Sequence, residues 1–168
     1  MIETERLLLK PITHGQLLKY IKDDDSLEEE FGLFPNRKNI SPSLQDALEQ
    51  TILPNVHDKD KNFLYHTLWV IISKSDNKII GEIGFEGEPD AKGEIEIGYG
   101  TYEAFRGRGF MTEAVAGIIE WAKGQDGVKI ITASTAIDNV ASYSILEKNN
   151  FIKVSEGEGT FTWKLELN

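Results

Sequence analysis

Between Glu94 and Tyr99 apolar and polar residues alternate strictly, with Ile95, Ile97 and Tyr99 on one side and Glu94, Glu96 and Gly98 on the other. A period of two belongs to a strand, here one whose first face packs and whose second carries carboxylates. A little further on the period changes. Met111, Ala114, Val115, Ile118, Ile119 and Ala122 recur at intervals of three and four, which predicts an amphipathic helix lying on a sheet. Gly124 and Gly127 end that helix, and Val128–Ala133 reads as the next strand. Strand, helix and strand in succession imply a right-handed crossover and a parallel pair.

The remaining segments are read by the same periods. Glu5–Pro11 is a strand closed by proline, and Thr13 caps a short helix whose apolar residues are Leu17, Leu18 and Ile21. The acidic run Asp23–Glu30 is either a solvated turn and short helix or one wall of a site for a cationic acceptor. Ser41-Pro42 opens a helix carrying Leu44, Ala47, Leu48 and Ile52. Pro54 is expected to stop it and leave Asn55–Asn62 as a polar loop. Leu68–Ile72 is almost continuously apolar, so this strand is covered on both faces. A turn at Asp76-Asn77 leads to the strand Lys78–Phe85. Asp138-Asn139 starts the last helix, with Ala141 and Ile145 turned inward and Asn150 as its left-handed cap. The strands Ile152–Glu156 and Thr160–Leu167 complete an α+β, three-layer arrangement: a mixed, mostly antiparallel central sheet, helices on both faces and one parallel strand pair. The expectation is a single domain, 1–168.

Composition removes several kinds of chemistry. The chain has 168 residues and no cysteine, which excludes thiol nucleophiles, disulfides and thiolate metal sites. His14, His57 and His66 lack metal-ligand spacing, so no metal is expected, and Trp69, Trp121 and Trp163 are assigned to the core. No apolar stretch approaches the ~20 residues of a membrane span, and Met1–Arg6 does not read as a leader, so a cytoplasmic location is expected with no membrane partner. A formal charge of -10 argues against nucleic acid and favours a cationic partner such as an amine.

Candidate chemistry gathers where the strand ends and the long helix begins. Arg106-Gly107-Arg108-Gly109 is a turn whose glycines can adopt positive φ and let a ligand approach the backbone. The helix behind it offers unpaired N–H groups, so backbone donors, a helix dipole and two guanidinium groups converge on an anion, most naturally a diphosphate. Arg106–Met111 resembles the Arg/Gln-x-x-Gly-x-Gly/Ala signature of the GNAT acetyltransferases, with Met111 where Gly or Ala is usual. The wider string, with Ile97-Gly98-Tyr99 before and Thr112-Glu113-Ala114 behind, is similar to the branch that acetylates the N-termini of ribosomal proteins and related amines.

The resemblance implies the GNAT fold, with its parallel pair splayed, and an enzyme that moves an acetyl group from acetyl-CoA to a primary amine by direct attack. The acceptor is a protein or peptide N-terminus or a small cationic amine; a polyamine or aminoglycoside acetyltransferase, or a non-catalytic acyl-CoA-binding or interaction domain, are the alternatives. A homodimer is left open. The residues implied at the cofactor are Tyr99, Gly100, Arg106, Gly107, Arg108, Gly109, Phe110, Met111, Thr112, Asn139 and Ser142. An N–H near Tyr99 or Gly100 would serve the oxyanion. Glu96 is the first choice for general base and Glu82 the second; for either, the alternative is a solvated carboxylate on a strand face. A tyrosine that many family members use as acid is matched here by Glu147. Asn139-Val140-Ala141-Ser142 instead resembles the Asn-x-x-Ser of the ribosomal branch, in which the serine protonates sulfur and the asparagine contacts the pantetheine arm.

Overall fold

The computed structural model describes residues 1–38 and 40–168. Among these residues eight strands form one sheet in the order β1-β2-β3-β4-β5-β6-β8-β7. They are β1 (Ile2–Glu3), β2 (Leu7–Pro11), β3 (Leu68–Ser73), β4 (Lys78–Phe85), β5 (Glu94–Thr101), β6 (Ile130–Ala136), β7 (Ile152–Gly157) and β8 (Thr160–Glu166). Every neighbouring pair is antiparallel except β5 and β6. The fold is the expected mixed, mostly antiparallel sheet with flanking helices and one parallel pair. No helix among the described residues is long and apolar enough to cross a membrane.

One face of the sheet carries α5 (Phe110–Lys123) and α6 (Val140–Lys148). All six residues of the predicted apolar stripe of α5 are buried, and Trp121 at its edge is half-buried against Trp69 and Phe85. The other face carries α1 (His14–Lys22), α2 (Ser26–Phe31), α3 (Pro42–Ala47) and α4 (Leu53–His57). β3 lies between the two layers with every residue buried, as a continuous apolar run requires.

Several expectations are corrected. Pro54 does not stop its helix. A π-helical turn, Leu48–Ile52, precedes it, with Leu53 N–H bonded to Leu48 O, and α4 runs on to His57. The wider turn absorbs the proline, which lacks an N–H and sits where that loss is harmless, in the first turn of the next segment. In α1, Leu18 faces solvent and Tyr20 faces the core. In α6, Ala141 is exposed and Leu146 is the buried residue, while Asn150 does take the left-handed cap, at φ 67°. β6 begins at Ile130 and runs to Ala136, because β8 continues to pair with it after β5 has left.

Candidate active site

The parting of β5 from β6 organises the site. The two strands pair from Glu94↔Ile130 to Ile97↔Ala133 and no further. Beyond that point β5 stays with β4 through Thr101, and β6 stays with β8 through Ala136. Glu86 N–H donates to Glu96 O and Tyr102 N–H to Ile80 O. In an antiparallel ladder these contacts alternate, so Glu96, Gly98, Gly100 and Tyr102 all turn their main chain toward β4. Tyr99 and Thr101 turn theirs toward the opening. Of the two expected oxyanion donors, Tyr99 therefore presents its N–H to the gap, and Gly100 gives its own to β4. The Thr101 carbonyl is already used: Arg106 Nε donates to it at 3.0 Å.

A cavity of about 410 Å³ lies against this opening, on the face of α1 to α4. Glycines 84, 98 and 100 share one face of β4 and β5 and leave the floor bare, while Leu44, Ala47 and Ile52 form the opposite wall. Glu82, Glu86, Glu103, Arg106, His66, Tyr99 and Tyr102 supply its ionisable groups. Glu88 engages the His66 ring at 3.0 Å. Glu82 sits opposite Gly100 in the register, and a Cβ added to Gly100 would lie 2.5 Å from Glu82 Oε1. Burial lifts the Glu82 carboxyl to about 7, opposed by a hydrogen bond from Tyr20. Glu96 lies on the same strand face but further back, beside the paired part of β6, where Ser134 Oγ donates to it at 3.3 Å.

At the other end of the opening is the glycine turn. Gly107 and Gly109 have φ of 75° and 76°, and a Cβ on Gly107 would meet nothing within 4 Å, so the space above the backbone is open. Gly109 caps α5 without a side chain, which leaves the first N–H groups of α5 free for an anion. Phe110 and Met111 are buried, so only their main chain is open to the turn. Thr112 O accepts from Asn149 Nδ2 and ties α6 to α5. The two arginines do not converge as expected. Arg108 reaches Asp76 at 3.3 Å and stacks over Phe110, whereas Arg106 turns to Thr101. Arg6, which the sequence did not mark, braces the turn. Its Nη1 donates to Arg108 O at 2.9 Å, and its Nε and main-chain N–H both bond Glu113.

Across the gap, α6 brings up the third group. Tyr99 O–H donates to Ser142 O at 2.9 Å, and Ser142 Oγ lies 3.4 Å from the Tyr99 hydroxyl. Asn139 Oδ1 accepts from Ser142 N–H and caps α6, and among the described residues its NH₂ has no hydrogen-bond partner. Tyr143 stacks on Trp163, and Glu147 is exposed. Tyr99, Asn139 and Ser142 thus form one cluster, and Glu82 sits on the opposite sheet face.

An open glycine turn at a helix start and a split sheet with main-chain groups turned to the gap suit a ligand with an anionic tail, and a buried carboxylate lies on the adjoining cavity floor. The family model described as "Acetyltransferase (GNAT) domain" matches residues 6–152. The uncharacterized N-acetyltransferase YjdG of Bacillus subtilis is 32% identical over 90% of this chain and 89% of its own length. Among solved structures, the ribosomal-protein-S5-alanine acetyltransferase of Vibrio fischeri superposes with a TM-score of 0.68 at 19% identity, covering 98% of this chain and 94% of that one. RimL, a ribosomal L7/L12 α-N-protein acetyltransferase solved with coenzyme A, gives 0.67 at 15% identity, covering 98% and 96%. The chain belongs to the GNAT acetyltransferase family. It is an acyltransferase of the N-acetyltransferase kind, and acetyl-CoA is its cosubstrate.

Proposed function

We propose that this enzyme, acting as a single domain, acetylates a primary amine of a protein or peptide N-terminus, or of a small cationic molecule, by direct attack on the thioester. The observation that carries the reading is Glu82, a carboxylate on a bare glycine floor whose pKa of about 7 suits a base working near neutrality. An α-amine titrates near 8 and a lysine-like amine near 10, so the acceptor arrives mostly protonated and must lose a proton. Glu82 takes that proton as nitrogen bonds to the carbonyl carbon. The Tyr99 N–H meets the oxygen as it becomes anionic. The C–S bond then breaks; the nitrogen gives up its second proton to solvent, and the sulfur takes the Ser142 hydroxyl proton, which solvent replaces on Oγ, an atom held 3.4 Å from the Tyr99 hydroxyl. Main-chain N–H groups of residues 106–112 hold the diphosphate, and the amide of Asn139 contacts the arm.

Glu82 takes precedence over Glu96 here because it faces the cavity, while Glu96 stands back beside Ser134. The cavity carboxylates Glu82, Glu86 and Glu103 outnumber its one arginine and support a cationic acceptor. The α-N-protein acetyltransferases with a similar fold make peptide N-termini the first acceptors to try. Thiol release from acetyl-CoA should be followed with peptide N-termini, polyamines and aminoglycosides. Glu82→Gln is expected to lower kcat/KM at pH 7 by about 10²- to 10⁴-fold with affinity for acetyl-CoA kept in calorimetry. Glu96→Gln should change it far less. Full turnover by Glu82→Gln with every acceptor the parent uses would remove Glu82 from this role.

A further inference from the structure

Behind Glu82 runs a buried polar chain that none of these steps employs. Tyr20 of α1 is fully buried, and its hydroxyl lies 3.4 Å from Glu82 Oε2 and 2.8 Å from the hydroxyl of Tyr102, itself buried. Lys38 Nζ stands 5.2 Å from the centre of the Tyr20 ring. It pairs at 2.8 Å with Glu28 Oε1, and both of these side chains are sealed from solvent. Asp23 approaches the same ammonium at 3.5 Å. Dehydrating an ion pair is costly, and packed apolar residues would often be as stable, so stability alone is a poor account of this arrangement.

Proton counting gives the chain a direction. Burial, with the nearby Glu82 charge, holds both tyrosines well above the usual phenol range, so each keeps its one proton at neutral pH. An ionised Glu82 only accepts. Tyr20 therefore donates to Glu82, and its own oxygen accepts from Tyr102. The Lys38 ammonium near the ring adds a cation–π contact that fixes the ring in place.

We propose that Tyr20 is a positioning residue for the transfer reaction: its hydroxyl, aligned by Tyr102 and seated by the buried Lys38–Glu28 pair, holds the Glu82 carboxylate on the cavity floor. This rests on the reading of Glu82 as the group that deprotonates the amine. Besides Tyr20 of α1, the titratable groups that line the cavity with Glu82 are Tyr99 of β5, Tyr102, Glu103 and Arg106 from the segment after β5, His66 from the segment before β3 and Glu86 just after β4. Tyr20 is the one that opposes the effect of burial on its carboxyl.

Tyr20→Phe keeps the ring and deletes the hydroxyl. Carboxyl ¹³C NMR titration of labelled glutamates, with Glu82 assigned through Glu82→Gln, should show the Glu82 midpoint rising by about half a unit or more. The acidic limb of kcat/KM should move with it, and kcat should fall about tenfold at unchanged KM for acetyl-CoA. In the Glu82→Gln background the same change should cost no further activity. A Glu82 midpoint that does not move, or equal losses in both backgrounds, would mean Tyr20 is only a core residue. If Glu82→Gln is fully active the assignment of the base fails instead, and the titration still decides whether Tyr20 governs that carboxyl.

Discussion

Glu82 and Gly100 face each other across β4 and β5, and each explains the other. The carboxylate can lie over the strand only because its partner has no Cβ; one added there would stand 2.5 Å from Oε1. Gly100→Ala therefore pushes a flexible side-chain end and no backbone. It should shift stability by about 1 kcal/mol or less while swinging the carboxylate away from Tyr20. The expected outcome is a fall in kcat/KM of tenfold or more, with the melting temperature within a few degrees of the parent. Gly98→Ala, whose Cβ meets nothing within 4 Å, should leave the melting temperature unchanged. The sequence ranks Glu96 above Glu82 because the strand of Glu96 leads to the transfer point. What it cannot display is the pairing register, which sets Glu82 against a glycine at the cavity and Glu96 against Thr132. Tyr20, Lys38 and Tyr102 were out of reach for the same reason, since they are brought together from three distant segments.

At the scale of elements, the glycine turn stands on the β1–β2 connection and α5 together. Glu113, in the first turn of α5, accepts from Thr4 Oγ1 at 2.6 Å, Arg6 N at 2.7 Å and Arg6 Nε at 2.7 Å. Arg6 in turn holds Arg108 O and stacks on Phe110. Glu113→Ala strands these donors and releases the turn. A loss of about 2–3 kcal/mol in denaturant unfolding is expected, with several-fold weaker binding of coenzyme A in calorimetry. Arg6→Ala should weaken binding in the same direction; unchanged affinity in both would detach the brace from the turn. The long helix was legible to the residue, because its stripe is local and uninterrupted. The helix around Pro54 was not, because a π turn shifts the register by one residue and leaves no mark in the apolar pattern. The acidic run was half legible: Glu30 does sit at the surface, bonded to Lys19, but Glu28 is buried by a lysine ten residues on.

For the molecule as a whole, the site and the fold pull against each other, and pH separates them. Burial holds the Glu82 carboxyl at about 7 in the folded protein against 4.5 as a free side chain. Between those values the folded chain binds the proton and the unfolded chain releases it, so stability falls as pH rises through the window. Above 7 the full penalty stands, on the order of 3 kcal/mol. Glu113 has the opposite sign. Burial raises its carboxyl, but Thr4 and Arg6 together outweigh that and hold it below its usual value. Its contribution is present above 4.5 and is lost as pH falls through the lowered value. The general repulsion of a chain at -10 also grows with pH, so a bare stability curve mixes all three. Subtracting the curve of Glu82→Gln isolates one. The variant should melt higher than the parent at pH 8, by about 5 °C or more for a chain of this size. The gap should shrink severalfold by pH 5, where the parent carboxyl is already neutral. A gap that is the same at both pH values would mean that the carboxylate is solvated in the free enzyme, and with that the physical case for Glu82 as a base tuned to neutrality would be gone. A stabilised variant without turnover is the result that ties the base to the strain it places on the fold.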